Sequence, residues 1–283
     1  MKIRLLFFVF FFCSLRAFPQ INSSKVLVKK MLEACDQVKT AKFILKSIEK
    51  DKEGQYKTSE MIIKLALKPM KVYLYMIRPH AGAECLWKNG EQSNRVLVNP
   101  NGFPFINLKL GLYNSLLRAD SHHLVSDLGF DYLTSMTRYY MNKMGESFFN
   151  YMKITDTLQW DGRTCYELTF DYTPFQFLDY TMKQDETLTT ISNQFHISDF
   201  VLLKHNKKVV KDYDVCKPGE IIKVPNFYNR KIVLYVDKSN FLPLVQVTYD
   251  ENGLLEKYEM SAFQLNPVLQ PEEFTSEFPS YGF

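Results

Sequence analysis

Apolar residues along this chain recur with two periods, and the shorter one dominates. Val28, Met31, Leu32, Cys35 and Val38 repeat at helical spacing behind Ser23 and Ser24, which predicts an amphipathic helix over residues 25–38 with a serine N-cap. From there the pattern is that of strands. "AKFILKSIEKD" leads through Glu53-Gly54 to "YKTSEMIIKLALK", and Pro69 precedes "KVYLYMIRP". Turn pairs punctuate the rest: Lys88-Asn89-Gly90, Asn101-Gly102, Asp161-Gly162 and Asn252-Gly253. Hairpin signals at such short spacing predict a meandering antiparallel sheet.

The strands are apolar on both faces. In "KVYLYMI", Val72, Leu74 and Met76 point one way and Tyr73, Tyr75 and Ile77 the other, and "KIVLYV" at 231–236 behaves alike. A sheet with one wet face alternates apolar and polar residues, so both faces here need cover, or one face lines an apolar cavity. Residues 108–149 supply a cover: short helices and loops, then a longer helix rich in Met and aromatics. Two interiors meet the pattern, a close-packed core or a cavity. If there is a cavity, Tyr73, Tyr75, Ile77 and Tyr235 are its expected lining.

One block breaks the meander. "YTMKQDETLTTISNQFHISDFVLLKHN" at 180–206 is helical in pattern and is followed by "EIIKVPN", while its flanks, "RTCYELTFDY" and "RKIVLYVD", read as strands. Thr187 or Glu186 caps a helix whose face carries Leu188, Ile191 and Phe195, and Pro218-Gly219 turns the chain into a closing strand. The block is a βααβ unit.

Composition adjusts this picture. The chain has 283 residues, 46% hydrophobic and 23% charged, enough to bury a sizeable core. Lys2 and Arg4 precede an apolar run from Leu5 to Leu15, the form of a secretory signal, with cleavage after Ala17 or near Gln20. The three residues before Cys13 are Phe10, Phe11 and Phe12, which argues against a lipidation site. Removing residues 1–17 takes the formal charge from +4 to +1, so no field remains to attract nucleic acid. Cys35, Cys85, Cys165 and Cys216 form no CxxC pair; they are buried thiols, or disulfides in any of three connectivities.

The block from 179 to 226 resembles the LysM module. Tyr180-Thr181-Met182-Lys183-Gln184-Asp185-Glu186-Thr187-Leu188 is similar to its opening Y-T-V-K-x-G-D-T-L, Ile191 and Phe195 to its first helix, Asn206 to the end of its second, Lys217-Pro218-Gly219-Glu220 to its turn, and Ile222-Lys223-Val224-Pro225 to its closing strand. The resemblance implies a groove for N-acetylglucosamine glycans such as peptidoglycan, at Asp185, Glu186, Thr187 and Asn206. Asp185 stands where that family usually has Gly. A module retained for structure alone is the other outcome.

The flanking parts resemble the LolA/LolB-like outer-membrane lipoprotein carriers. Val236-Asp237, Leu242-Pro243, Asn252-Gly253, Asn266-Pro267 and Phe274 are similar to the pattern of the C-terminal half of that fold. Lys68-Pro69, Val72-Tyr73, Pro79, Gly82 and Glu84 resemble an uncharacterised branch of it. The implied fold is mainly β (α+β): a curved antiparallel half-barrel with a helical lid. Residues 1–20 are then a signal peptide, 21–178 and 229–283 a discontinuous half-barrel, and 179–228 an inserted LysM domain. The implied partners are a lipid or lipoprotein and peptidoglycan, in the periplasm or at the outer-membrane periphery of a gram-negative bacterium.

Catalytic patterns are sparse. His122-His123, with Asp120 and Asp127 nearby, is the most reactive-looking stretch, but adjacent histidines on a regular element point apart. HExxH, GxSxG and phosphate-loop motifs do not occur. A peptidoglycan hydrolase is therefore weakly supported. The expectation is a non-enzymatic binding protein with no metal or cofactor; the alternative is an envelope scaffold with a solid half-barrel anchored through the LysM unit.

Overall fold

The computed structural model describes residues 21–118, 121–209, 213 and 217–283. The expected signal segment, Asp120 and Cys216 lie outside these. The chain opens with helix α1 (Ser24–Asp36), and the Ser23 side chain accepts from the Val26 amide as its N-cap. Six strands follow: β1 (Thr40–Lys50), β2 (Tyr56–Leu67), β3 (Met70–Arg78), β4 (Glu84–Lys88), β5 (Arg95–Asn99) and β6 (Leu108–Gly111). Helix α2 (Asp131–Met144) leads into β7 (Met152–Trp160) and β8 (Arg163–Asp171). Then come β9 (Phe177–Thr181), α3 (Leu188–Phe195), α4 (Asp199–His205) and β10 (Ile221–Pro225). Strands β11 (Lys231–Asp237), β12 (Pro243–Asp250) and β13 (Gly253–Leu265) complete the fold.

Eleven strands form one antiparallel sheet in the order β6-β5-β4-β3-β2-β1-β13-β12-β11-β8-β7, open at β6 and β7. The predicted meander is real, and its turns are as read: Trp160 pairs with Arg163 across Asp161-Gly162, whose φ values of 47 and 73 are those of a tight turn with two left-handed residues. "LKLG" at 108–111, expected within the helical cover, is instead the edge strand β6.

One face of the sheet carries α1, α2 and the main core. Leu27, Val28 and Met31 of α1 and Leu133, Met136 and Tyr140 of α2 pack on Phe43, Ile63, Leu65, Val72, Leu168 and Ile232. The outer face is covered in patches. Phe274, Tyr281 and Phe283 of the C-terminal segment lie over Tyr73, Leu86 and Leu97, and Val233, Val245 and Val247 pack together beside Trp160 and Tyr235.

Strands β8 and β11 are direct neighbours, with Asp171 opposite Lys231. All of β9 through β10 therefore leaves the sheet and returns to the adjacent strand. Strands β9 and β10 pair with each other alone. With α3 and α4 they enclose a small core of Met182, Leu188, Ile191, Ile197, Leu202, Leu203, Ile222 and Val224. This βααβ unit docks through α4: Phe200 and Val201 pack on Leu255 of β13, Lys204 pairs with Asp250 at 3.1 Å, and Asp199 pairs with Arg118 at 2.5 Å.

Candidate functional site

The inner face is not fully packed. Between the sheet and the segment 116–133 lies a cavity of about 700 Å³, within the range of small-molecule sites. Strand residues of β1 to β6, β12 and β13 all reach it, among them Leu45, Met61, Leu74, Val98, Leu244 and Met260. Eight consecutive strands laid flat would span more than about 30 Å, so sharing one such cavity requires the sheet to curl around it. Leu117, Leu124, Leu128, Phe130 and Leu133 close the other side. The wall reaches the surface at Pro79, His80, Phe103, Pro104 and Leu116, all exposed. Around that mouth Phe103, Phe105, Ile106 and Leu116 are 87%, 81%, 61% and 68% exposed, a concentration of bare apolar side chains that marks an interaction site.

The lining residues expected from sequence lie on the other face. Leu74 and Met76 of β3 point into the cavity. Tyr73 points outward, stacks on Tyr281 at 3.7 Å and donates to Glu84 at 2.7 Å. Tyr75 is solvent-exposed, Ile77 does not reach the cavity wall, and Tyr235 packs in the outer valine patch. Strand alternation predicted two sets correctly; which set faces inward depends on the direction of curl and on the C-terminal segment covering the outside.

One end of the cavity is polar. Ser47, Glu49, Ser59, Ser121, His123, Asp127, Gln246 and Tyr258 border it. Behind them Glu256 of β13 is fully buried and lies directly opposite Glu49 of β1 in the strand register. Like charges facing each other across strands repel, and two histidines from the cover offset this pair. His122 Nδ1 lies 2.8 Å from Glu256 Oε2, and its Nε2 lies 2.9 Å from the Lys50 carbonyl. Its amide donates to Glu49 at 3.1 Å, and Phe200 stacks on its ring at 3.8 Å. His123 Nε2 is 3.6 Å from Glu256 and its Nδ1 3.8 Å from Asp127. Tyr228 donates to Glu256 at 3.1 Å, and Tyr258 donates to Glu49 and Glu256.

The electrostatics follow from this ring of charges. Burial alone would push the Glu256 carboxyl up, but the neighbouring His123 and His122 hold it well below the usual carboxylate range. Burial likewise acts to lower His123, and Glu256 and Asp127 overcome it and raise the imidazole well above its ordinary value. The two histidines thus converge on one carboxylate rather than pointing apart, because residues 121–123 are irregular. Glu49, His122 and Glu256 place one ligand atom each within 4.8 Å of the others, a set able to hold a divalent ion; as the side chains stand, each is hydrogen-bonded within the ring.

The four expected glycan residues have local roles. Asp185 is exposed with φ 63, a left-handed turn position that explains why Gly is usual there. Glu186 accepts from the Tyr180 hydroxyl at 2.7 Å and the Lys183 amide at 2.9 Å. Thr187 is the N-cap of α3, its side chain accepting from the Thr190 amide. Asn206 is buried. Its side-chain amide donates to Leu202 and Lys223 carbonyls at 2.8 and 2.9 Å and accepts from the Lys223 amide at 2.7 Å. It fastens α4 to β10, and only Asp185 of the four is fully exposed.

The family model described as "Protein of unknown function (DUF1571)" matches residues 39–188. The chain belongs to that family. The DUF1571 match takes in every wall of the cavity except that from β12 and β13. No curated protein matches this sequence. Among solved structures, a LolA superfamily protein from Nitrosomonas europaea is 11% identical, covering 90% of this chain and 98% of that one at a TM-score of 0.34. Mycobacterium tuberculosis lipoprotein LppX is 11% identical over 87% and 99%, at 0.40. The Pseudomonas aeruginosa MucA/MucB complex is 12% identical over 88% and 59%, at 0.42. What the DUF1571 chain offers chemically is its own cavity: a curled apolar wall, a mouth with exposed aromatics, and one charged end.

Proposed function

We propose that this is an exported binding protein, not an enzyme, whose cavity holds the acyl chain of a lipid or an acylated protein. The observation that carries the reading is the 700 Å³ space between sheet and cover, walled by Leu, Met, Val and Phe. Apolar wall of this extent gains about 0.8 kcal/mol for each CH₂ it takes from water. The exposed Phe103 and Phe105 at the mouth extend the apolar path outward. The His-Glu ring supports binding over catalysis, since its members are engaged with one another rather than aimed at a common reacting atom. The signal-like N-terminus and the carrier-like motifs support a periplasmic or outer-membrane-peripheral location. Among the described residues no helix is long and apolar enough to cross a membrane.

The finer part of the proposal concerns the βααβ unit, which we read as a LysM-like module docking the carrier to peptidoglycan. Its motif order and its strand pairing support this, and Asp185 with the surrounding turn is the surface it offers. The internal bonds of Asn206 and Glu186 favour a second reading, in which the unit is retained for structure alone and contacts no glycan.

Native mass spectrometry with lipid extraction, on mature protein purified from its own envelope, tests the first part. A stoichiometric lipid or lipopeptide is expected. Protein that emerges empty after gentle purification, and that takes up no added fatty ligand, refutes it. Sedimentation with purified peptidoglycan tests the second; a soluble fraction unchanged by peptidoglycan refutes the docking role.

A further inference from the structure

The charged end of the cavity has a sign. Its acidic lining residues are Glu49 and Asp127 and its histidines are His123 and, at the mouth, His80; among the described residues none of the lining is Lys or Arg. His123 is already held between Glu256 at 3.6 Å and Asp127 at 3.8 Å. The nearby cations are closed as well: Arg118 lies 2.5 Å from Asp199 and Lys50 lies 3.6 Å from Asp250. A carboxylate or phosphate entering this end meets two carboxylates and no uncommitted cation. A bare hydrocarbon tail fares no better, because it strips water from Glu49 and Asp127 and gives nothing back. The carboxylates of Glu49 and Asp127 accept from His122, Tyr258 and Leu124 and keep further lone pairs, while Gln246 and the Ser47–Ser59 pair, 2.8 Å apart, are neutral groups that both donate and accept.

From this we infer that the ligand of the cavity is an amphiphile whose head group donates hydrogen bonds and carries no negative charge, an ammonium or polyol head, with its tail along Leu45, Met61, Leu74 and Met260. The inference rests on the reading that the cavity holds an amphiphile at all, and it narrows that reading by excluding free fatty acids and anionic phospholipids as preferred cargo.

Dodecylamine, dodecanol and dodecanoate share a tail and differ in the head. Each is titrated calorimetrically into delipidated mature protein at pH 7, below its micellar concentration. The amine is expected to bind at least about tenfold tighter than the carboxylate, with the alcohol between them, since one like-charge contact at a partly buried site is worth at least that factor. Glu49→Gln is expected to bring amine and carboxylate to within about threefold. Asp127→Asn serves as the second variant where Glu49→Gln fails to retain the native circular dichroism. Dodecanoate binding as tightly as the amine overturns the head-group inference alone, as does a ratio unmoved by both variants. Failure of all three to bind overturns the lipid-carrier reading and this inference with it.

Discussion

Asn206→Ala separates a structural latch from a glycan contact. The side chain is buried and makes three hydrogen bonds at 2.7 to 2.9 Å, two of them to the Lys223 peptide groups and one to Leu202. Alanine removes all three and leaves an amide and two carbonyls to find other partners. Each bond contributes about 1 kcal/mol net. Because Lys223 is itself exposed and water reaches part of the site, the total loss is about 2 to 3 kcal/mol. The loss is local, since the small core of the βααβ unit is separate from the main one. Trp87 and Trp160 belong to strands of the large sheet, so their fluorescence is a poor reporter. Native-state hydrogen exchange is the right assay: amides of α3, α4 and β10 are expected to exchange roughly 30 to 150 times faster, while those of β1, β2 and β13 do not change. Asn206→Asp keeps the acceptor for the Lys223 amide but sets a carboxylate oxygen against the Leu202 and Lys223 carbonyls, and should cost at least as much as alanine. A change of less than about threefold in the unit, with loss of peptidoglycan sedimentation, would refute the latch and restore Asn206 as a contact residue.

The His-Glu ring sets the pH dependence of stability. Glu256 is depressed, so its contribution is present above the ordinary carboxylate value of 4.5 and is lost as acid protonates it. His123 is raised, so its contribution is full below the ordinary 6.5 and is lost as pH rises through the elevated value. Urea midpoints should therefore be highest near pH 5 to 6 and fall on both sides, and Glu256→Gln should flatten both limbs; a midpoint still rising above pH 8 contradicts this. On β3, Met76→Lys places a charge in the apolar wall and should weaken ligand binding about tenfold or more, while Tyr75→Lys on the exposed outer face should leave titrations unchanged; the reverse order would mean the cavity face is wrongly assigned. Burial pushes the thiols of Cys35 and Cys85 up to about 12 and that of Cys165 to about 11. Iodoacetamide at pH 8 should leave Cys35 and Cys165, both buried, unmodified in folded protein and label them in guanidinium, read by peptide mass; rapid labelling of Cys35 in the folded state would contradict its burial.

Local chemistry is what the sequence made legible. Ser23 as the cap of α1, the Asp161-Gly162 hairpin, Thr187 as the cap of α3 and the excursion between β8 and β11 each depend on a few adjacent residues whose backbone preferences decide the outcome. Asp185 is the informative case: it stands where Gly is usual, and its φ of 63 is the left-handed turn that Gly adopts without strain. The meander followed for the same reason, since each hairpin is specified by its own turn. The misplacement of "LKLG" shows the limit: four residues form an edge strand because β5 offers a free edge, and nothing within those four residues says so.

The functional site was less legible because its parts are distant along the chain and each looks ordinary alone. Glu49 and Glu256 are 207 positions apart and meet only through the β1-β13 register; in sequence each is one glutamate beside a lysine. The histidines that offset them come from an irregular segment with no period to read. The choice of inner face failed for a related reason. A strand with Val72, Leu74 and Met76 on one side and Tyr73 and Tyr75 on the other declares two apolar faces, and nothing within the strand says which of them lines the cavity. The sheet decides otherwise by its curl. Bending brings inner side chains together, and Leu and Met line the space, while the flat rings of Tyr73 and Tyr281 stack on the outside where the C-terminal segment lies over the strands. Tyr73 also needs a partner for its hydroxyl and finds it in Glu84, itself buried and bonded to the Gly282 amide at 2.7 Å. The C-terminal segment thereby closes the outer face over β3 and β4, and the cavity lies on the other.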